Sequence, residues 1–165
     1  MTDGPGDGLM TPLEASRQVI RLVRAHKDDA RHHHGCSPGT IARAERELGL
    51  TFPPSYRLLI EEFGTWEVPP TEFLGVYRTG LAGDVLLGSV AQTLDARAAG
   101  LPPELMVVLL DDVWMRVVLD TSRPDANGEY PVFAWNPGVV DGGLMERLAD
   151  SYGEFALAAC RRMLT

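Results

Sequence analysis

The sequence predicts an α+β fold in which helices pack against a mainly antiparallel sheet. The first half of the chain carries three segments whose apolar residues recur at helical spacing. The second half carries mainly runs of strand length separated by turn-forming residues, and a last helical segment closes the chain. Successive strands joined by short turns pair antiparallel, and helices segregated from them pack on the sheet.

The first helix is predicted to begin at a capping box, Thr11-Pro12-Leu13-Glu14, and to run to about Lys27. Arg17, Arg21 and Arg24 line a side away from its apolar face. Residues 1–10 are rich in Gly, Asp and Pro, so we expect a flexible N-terminus. The segment KDDARHHHGCSPG that follows the helix is polar and has no periodicity, which predicts a loop.

The stretch Ile41–Gly64 predicts two short amphipathic helices joined by a proline elbow. Ser37 is a suitable N-cap for the first helix, and Gly49 suits the left-handed conformation that ends it. Pro53-Pro54 begins the second helix, since proline is tolerated in a first turn, and Gly64 ends it. The apolar stripes are Ile41, Ala44 and Leu48, then Tyr56, Leu59, Ile60 and Phe63.

Beyond Gly64 the pattern changes to strands. Asp111-Asp112 is a turn signal between two apolar runs and predicts an antiparallel hairpin. Ser151 begins a second capping box and a final helix that runs to about Leu164. The predicted strands are Glu72–Tyr77, Val85–Leu87, Leu105–Leu110, Val113–Leu119 and Pro131–Trp135, with a helix over 89–100 and no assignment for 139–149.

Composition favours one acidic globular domain. The chain has 165 residues and a net charge of −8, which argues against general binding to nucleic acid or to anionic membranes. The N-terminus lacks a basic region and an apolar run, and Leu105–Leu110 is too short to span a bilayer, so we expect a cytoplasmic protein. Cys36 and Cys160 are expected to be free thiols.

The four histidines lie between residues 26 and 34, with Cys36 close by. Imidazole and thiolate are good zinc ligands, so a metal-dependent enzyme using His32, His33 and His34 is one interpretation. Three adjacent histidines do not share a side-chain direction in a regular element, however, and a metal would need carboxylates from elsewhere. We favour a solvated loop, with no metal and no cofactor.

Carboxylates are the other candidates for catalysis. Asp111, Asp112, Asp120 and Glu129 could surround an acid–base site, because paired carboxylates can split their pKa values. Such residues are more often turn formers and exposed charge. The chain has no Gly-x-Ser-x-Gly elbow, no P-loop and no Gly-x-Gly-x-x-Gly after a strand, so it is predicted not to be an enzyme.

Tryptophan is the remaining signal. Trp66 lies between Gly64 and Pro69-Pro70, next to Glu67. An exposed tryptophan beside carboxylates is typical of an interface anchor. Packing in the core is the alternative, equally favoured for Trp66 and at least as good as anchoring for Trp114 and Trp135.

The ordered motifs resemble the SMI1/KNR4 (SUKH) superfamily. They are, in order, Ile41–Gly49, Phe52–Leu59, Phe63-Gly64, Glu72–Gly75, Asp120, Gly128–Val132 and Ser151–Phe155. Two positions depart from the pattern: Phe63 replaces a usual asparagine and Phe52 a usual leucine. The resemblance implies a SUKH-like α+β domain over residues 11–165, with 11–36 as an N-terminal helical extension.

The resemblance also implies a protein that binds rather than catalyses. Many bacterial members look like immunity proteins that neutralise a cognate secreted toxin, often a nuclease, in the cytoplasm, and others are regulatory or scaffold proteins. We therefore expect a toxin-binding immunity protein, with an intracellular regulatory or scaffold domain as the alternative. The residues predicted to bind the partner, from their expected surface position, are Glu61, Glu62, Trp66, Glu67, Glu72, Asp111 and Asp112.

Overall fold

The computed structural model describes residues 9–78, 83–110, 115–138 and 143–165. It confirms the α+β fold class. The helices in these ranges are α1 (Pro12–Ala25), α2 (Pro38–Leu48), α3 (Pro54–Phe63), α4 (Ser89–Ala98) and α5 (Tyr152–Leu164). The strands are β1 (Arg31–His32), β2 (Trp66–Val68), β3 (Thr71–Phe73), β4 (Val76–Tyr77), β5 (Leu87–Gly88), β6 (Leu105–Leu110), β7 (Arg116–Asp120), β8 (Val132–Trp135) and β9 (Leu144–Ala149).

One antiparallel sheet organises these elements. Within the described ranges it has seven strands in the order β1-β2-β3-β6-β7-β8-β9, and β4 and β5 pair separately. The predicted hairpin is present as β6 and β7, with Met106 opposite Leu119. Its predicted turn at Asp111-Asp112 lies outside the described residues, as do residues 1–8 of the predicted flexible N-terminus.

The predicted capping signals at Thr11, Ser37 and Gly49 are confirmed. Thr11 Oγ1 accepts from the Glu14 backbone N–H, and the Glu14 carboxylate accepts from the Thr11 N–H. Ser37 caps α2, and Gly49 ends it in the left-handed region at φ 67°. These signals are local, and a local signal needs no tertiary partner to act.

The elbow between α2 and α3 is fixed by Glu45. Its carboxylate accepts from the Phe52 N–H at 2.8 Å and from Arg57 Nη2 at 2.9 Å. The chain from α2 is thereby tied to the first turn of α3. Pro53, the N-cap of α3, provides no side-chain cap.

The predicted strand Glu72–Tyr77 is wrong as one element. β3 ends at Phe73, and β4 begins at Val76 in the other sheet. A Cβ added to Gly75 would lie 1.3 Å from the Gly64 carbonyl oxygen, so two backbones meet where the strand divides. The pattern of apolar and polar side chains does not reveal a close approach of two backbone segments, so the break in the strand could not be predicted.

The predicted loop over residues 27–39 also needs correction. Arg31 and His32 form β1, which pairs antiparallel with Glu67 and Trp66 of β2. β2 lies within the segment after Gly64 that the sequence leaves as a loop. Strands of two and three residues are too short to show alternation, so their pairing could not be predicted.

The core lies on both faces of the sheet. The larger apolar cluster fills the space under α1, α2, α3 and α5, and a smaller one packs Ala96 of α4 against Leu105 and Val107. Successive residues of β7 alternate between them, with Val117 in the larger cluster and Val118 in the smaller.

Candidate partner-binding surface

Two of the predicted binding residues meet at one edge of the sheet. Glu67 on β2 and Glu72 on β3 are directly opposite each other. Their neighbours Trp66 and Phe73 belong to the larger cluster, so the two carboxylates lie on the opposite face. Like charges directly opposite in a sheet are destabilising, so the stability of the hairpin does not explain this pair.

The strands extend this pair into a row that we call the open-face row: Arg31, Glu67, Glu72 and Leu110. Arg31 is the cross-strand neighbour of Glu67, with its Nη1 3.5 Å from Glu67 Oε1. Phe73 pairs with Leu109, which places Leu110 beside Glu72 in the antiparallel register. Leu110 is 39% exposed, so the row presents an apolar side chain next to the acidic pair.

Glu61 and Glu62 are positioned differently. Both lie in the last turn of α3. This helix packs on the opposite face of the sheet from the open-face row. Glu62 forms an ion pair with Arg24 at the end of α1, whereas Glu61 is exposed and has no ion pair within the described residues. The structure therefore does not bring Glu61 and Glu62 onto one face with Glu67 and Glu72.

The expected exposure of Trp66 is wrong. Trp66 is 1% exposed and stacks on Phe73 with ring centroids 3.8 Å apart. Since β2 places residues alternately on the two faces, a half-buried Glu67 on the open face puts its neighbours Trp66 and Val68 on the buried face. Trp66 stabilises the hairpin from within and is not an exposed anchor. Asp111 and Asp112, which complete the predicted set, lie outside the described residues.

The histidine segment is engaged in packing contacts. The His32 ring lies 4.7 Å from the Phe63 ring, and the His33 ring stacks on Tyr77. Cys36 Sγ donates to the Val76 carbonyl. No group of three or more His, Cys, Asp or Glu residues that could hold a metal ion occurs in the described parts of the chain.

Glu129, one of the four acid–base candidates, is buried in a hydrogen-bonded network. Its Oε1 accepts from the Ser55 N–H at 2.8 Å and its Oε2 from the Ser55 hydroxyl at 2.7 Å. Ser55 Oγ accepts in turn from the Gly153 N–H, and the Ser55 carbonyl accepts from Ser16 Oγ. Glu129 thus acts as the missing cap of α3 and joins three helices, a structural role that the sequence did not reveal.

Burial raises the pKa of Glu129 above its ordinary value of 4.5, while the two hydrogen bonds from Ser55 oppose that change and the charges of Asp125 and Glu154 add to it. The folded protein therefore holds this proton more tightly than the unfolded chain does. The resulting stabilisation is fully present below the unfolded pKa and is lost as pH rises through the folded pKa.

We expect the difference in unfolding free energy between the wild type and Glu129→Gln to fall as pH rises from about 4 and then to level off. Glutamine does not titrate, so the difference isolates this one carboxyl from all others. Urea denaturation at intervals from pH 4 to 8 measures it. A difference that stays flat across this range would contradict the raised pKa.

The comparisons with known proteins bear on the whole arrangement. A family model described as SMI1-KNR4 cell-wall matches residues 17–160. The chain belongs to the SMI1-KNR4 family. This confirms the resemblance drawn from the motifs. The comparison with curated proteins gave no match.

The SMI1-KNR4 motifs now have physical roles in this chain. Glu45 fixes the helix elbow, Tyr56 donates to the Leu74 carbonyl where the strand divides, and Glu129 caps α3. The contacts of Tyr56 and Glu129 are buried, and those of Glu45 are partly buried. These motif residues hold the scaffold together, and of the open-face row only Glu72 belongs to a motif. No helix in the described ranges has the length and apolar content that crossing a membrane requires.

Proposed function

We propose that this protein is a non-enzymatic immunity protein that binds and neutralises a cognate secreted toxin in the cytoplasm. Membership of the SMI1-KNR4 family supports this class of function. The observation that carries the proposal is the open-face row, in which the opposed carboxylates of Glu67 and Glu72 adjoin the exposed Leu110.

Electrostatics supports a basic partner. The chain carries a net charge of −8, and Arg31 is the cross-strand neighbour of one of the two opposed carboxylates, Glu67. A partner that supplies lysine or arginine relieves the repulsion between Glu67 and Glu72. Complementary charge also steers encounter and raises the association rate. A nuclease toxin fits, because its substrate cleft is basic.

In this proposal Leu110, rather than Trp66, is the apolar contact of the interface. Interfaces combine an apolar contact with a polar rim, and Leu110 lies between Glu72 and Arg116 on adjoining strands. Asp111 and Asp112 follow Leu110 directly in the sequence and stay in the proposed partner-binding set. Glu61 and Glu62 form a second acidic position at the end of α3, available to a partner that reaches around the edge strand β1.

A regulatory or scaffold domain of the same family is the alternative. It would use the same surface toward a partner that is not toxic, so gene context separates the two. A large secreted toxin encoded beside this gene favours immunity, and a signalling or envelope operon favours the alternative. A metal-dependent enzyme remains the weakest interpretation, and elemental analysis of untagged protein tests it directly.

Exchanging Glu67 and Glu72 for lysine is expected to abolish protection. The double variant should bind the neighbouring toxin domain about 100-fold more weakly, equivalent to about 3 kcal/mol, because two attractive contacts become repulsive. Titration calorimetry with a catalytically inactive toxin domain gives the affinity. Survival of cells expressing the active domain gives the protection.

A matched control is Glu104→Lys with Glu146→Lys, which changes the net charge equally at two exposed carboxylates outside the row. This control should retain near-normal affinity and protection. Equal losses in both double variants would show a net-charge effect and would overturn the assignment of the row. No binding or protection by the wild type against any neighbouring toxin domain would overturn the immunity function itself.

A further inference from the structure

Helices α1 and α5 lie side by side and run parallel. A Cβ on Gly153, in the first turn of α5, would lie 2.2 Å from the Pro12 carbonyl oxygen in the first turn of α1. Further along, Arg161 Nη2 donates to Gln18 Oε1 at 2.7 Å. Both C-terminal ends therefore lie at the same end of the helix layer, where the two helices leave a groove between them.

This groove is basic, which is unexpected in an acidic protein. Arg21 and Arg161 line it together with Leu22 and Ala25, and its volume is about 380 Å³. We call it the basic groove. The same two helices carry further exposed arginines outside the groove lining, Arg17 and Arg24 on α1 and Arg162 on α5.

Few of these charges are neutralised. In the described ranges Arg24 pairs with Glu62, whereas Arg17, Arg21 and Arg162 form no ion pair. Arg161 is hydrogen-bonded to an uncharged amide. Arg21 and Arg161 therefore bring two guanidinium groups to the groove, and neither forms an ion pair within the described ranges.

Compensation of the helix dipoles explains only part of this arrangement. Parallel helices place two partial negative charges at one end, and cations in a last turn stabilise them. Arg24, Arg161 and Arg162 lie in last turns and serve this purpose. Arg17 and Arg21 lie earlier in α1, where the dipole effect has decayed.

We propose that the basic groove is a second protein-binding surface, which takes an acidic segment of a partner with an apolar residue seated on Leu22 and Ala25. Charge complementarity fixes the acidic character, because Arg21 and Arg161 flank an apolar floor. A net charge of −8 opposes nucleic acid and anionic membranes, which present long-range negative potential to the whole molecule.

This surface is independent of the proposed toxin contact. α1 and α5 cover the larger apolar cluster, whereas the open-face row lies on the opposite face of the sheet. The two surfaces have opposite charge, so they select different partners. Because they lie on opposite sides of the sheet, one molecule can bind a basic partner and an acidic partner at once. Loss of either interaction leaves the other measurable.

The test uses a fluorescein-labelled peptide with glutamate and leucine at helical spacing, titrated into the full chain at low salt. Arg21→Glu is expected to weaken binding roughly tenfold, and Arg21→Glu with Arg161→Glu further. Arg46→Glu makes the same charge change on an exposed face of α2 and should have little effect. A second peptide with serine for leucine should bind at least ~10-fold more weakly, because the apolar floor is then unused.

Several outcomes would overturn the proposal. These are no binding of the leucine peptide, equal losses for Arg46→Glu and Arg21→Glu, or equal affinity for the two peptides. Tighter binding of a DNA duplex or of phosphatidylserine vesicles than of the leucine peptide would assign the groove to another class of partner. Circular dichroism of each variant confirms that the fold is retained.

Discussion

Gly75→Ala is expected to destabilise the protein by about 3 kcal/mol or more. The new Cβ would lie 1.3 Å from the Gly64 carbonyl oxygen, and neither backbone can move without disturbing β3 or β4. Denaturation followed by tryptophan fluorescence measures the loss, since Trp66 packs on Phe73, two residues before Gly75.

The control is Gly39→Ala in the first turn of α2. Its Cβ would meet only Ser37 Oγ, at 3.9 Å, so the change should be neutral or slightly stabilising. If the Gly75→Ala and Gly39→Ala proteins unfold at the same urea concentration, close packing of the Gly75 and Gly64 backbones is not important for stability.

Glu129→Ala should destabilise the protein by about 3 kcal/mol. The change removes the only side-chain cap of α3 that the described residues provide, and it leaves the Ser55 N–H and hydroxyl buried without their acceptors. Glu129→Gln keeps one acceptor oxygen and should lose less, about 1 kcal/mol at neutral pH. Urea denaturation at pH 7 gives both values.

Glu104→Ala, at an exposed carboxylate, is the control and should change stability by less than about 0.5 kcal/mol. If Glu129→Ala behaves like this control, the network through Ser55 does not hold α3. If Glu129→Gln is as damaging as alanine, the negative charge rather than the acceptor geometry is what α3 requires.

The helices could be predicted from the sequence because their signals are local. Three helices are capped by hydroxyls, those of Thr11, Ser37 and Ser151. Each hydroxyl accepts a hydrogen bond from the backbone N–H three residues later. Apolar spacing then gives the buried face. Such features need no knowledge of the rest of the chain, so the sequence is sufficient to place them.

The candidate site depended on contacts between distant segments, and here prediction was weaker. Whether Trp66 is buried depends on its pairing with Phe73, and the place of Glu67 depends on β1, which is too short to detect. Glu129 meets Ser55 from 74 residues away. The predicted acidic residues divide between two faces, Glu67 and Glu72 on one and Glu61 and Glu62 on the other, and this division is a property of the sheet that no local pattern carries.

Four glycines lie so close to a backbone carbonyl that a side chain would not fit, and this has a consequence for the whole fold. A Cβ on Gly35, Gly64, Gly75 or Gly88 would collide with the carbonyl of Glu61, His34, Gly64 or Gly75, respectively. These contacts join consecutive backbone segments without using any side chain. The architecture can therefore stay constant while surface positions outside the motifs, such as Glu67 and Leu110, are exchanged. A lineage built on this scaffold can acquire a new binding specificity by surface substitution alone.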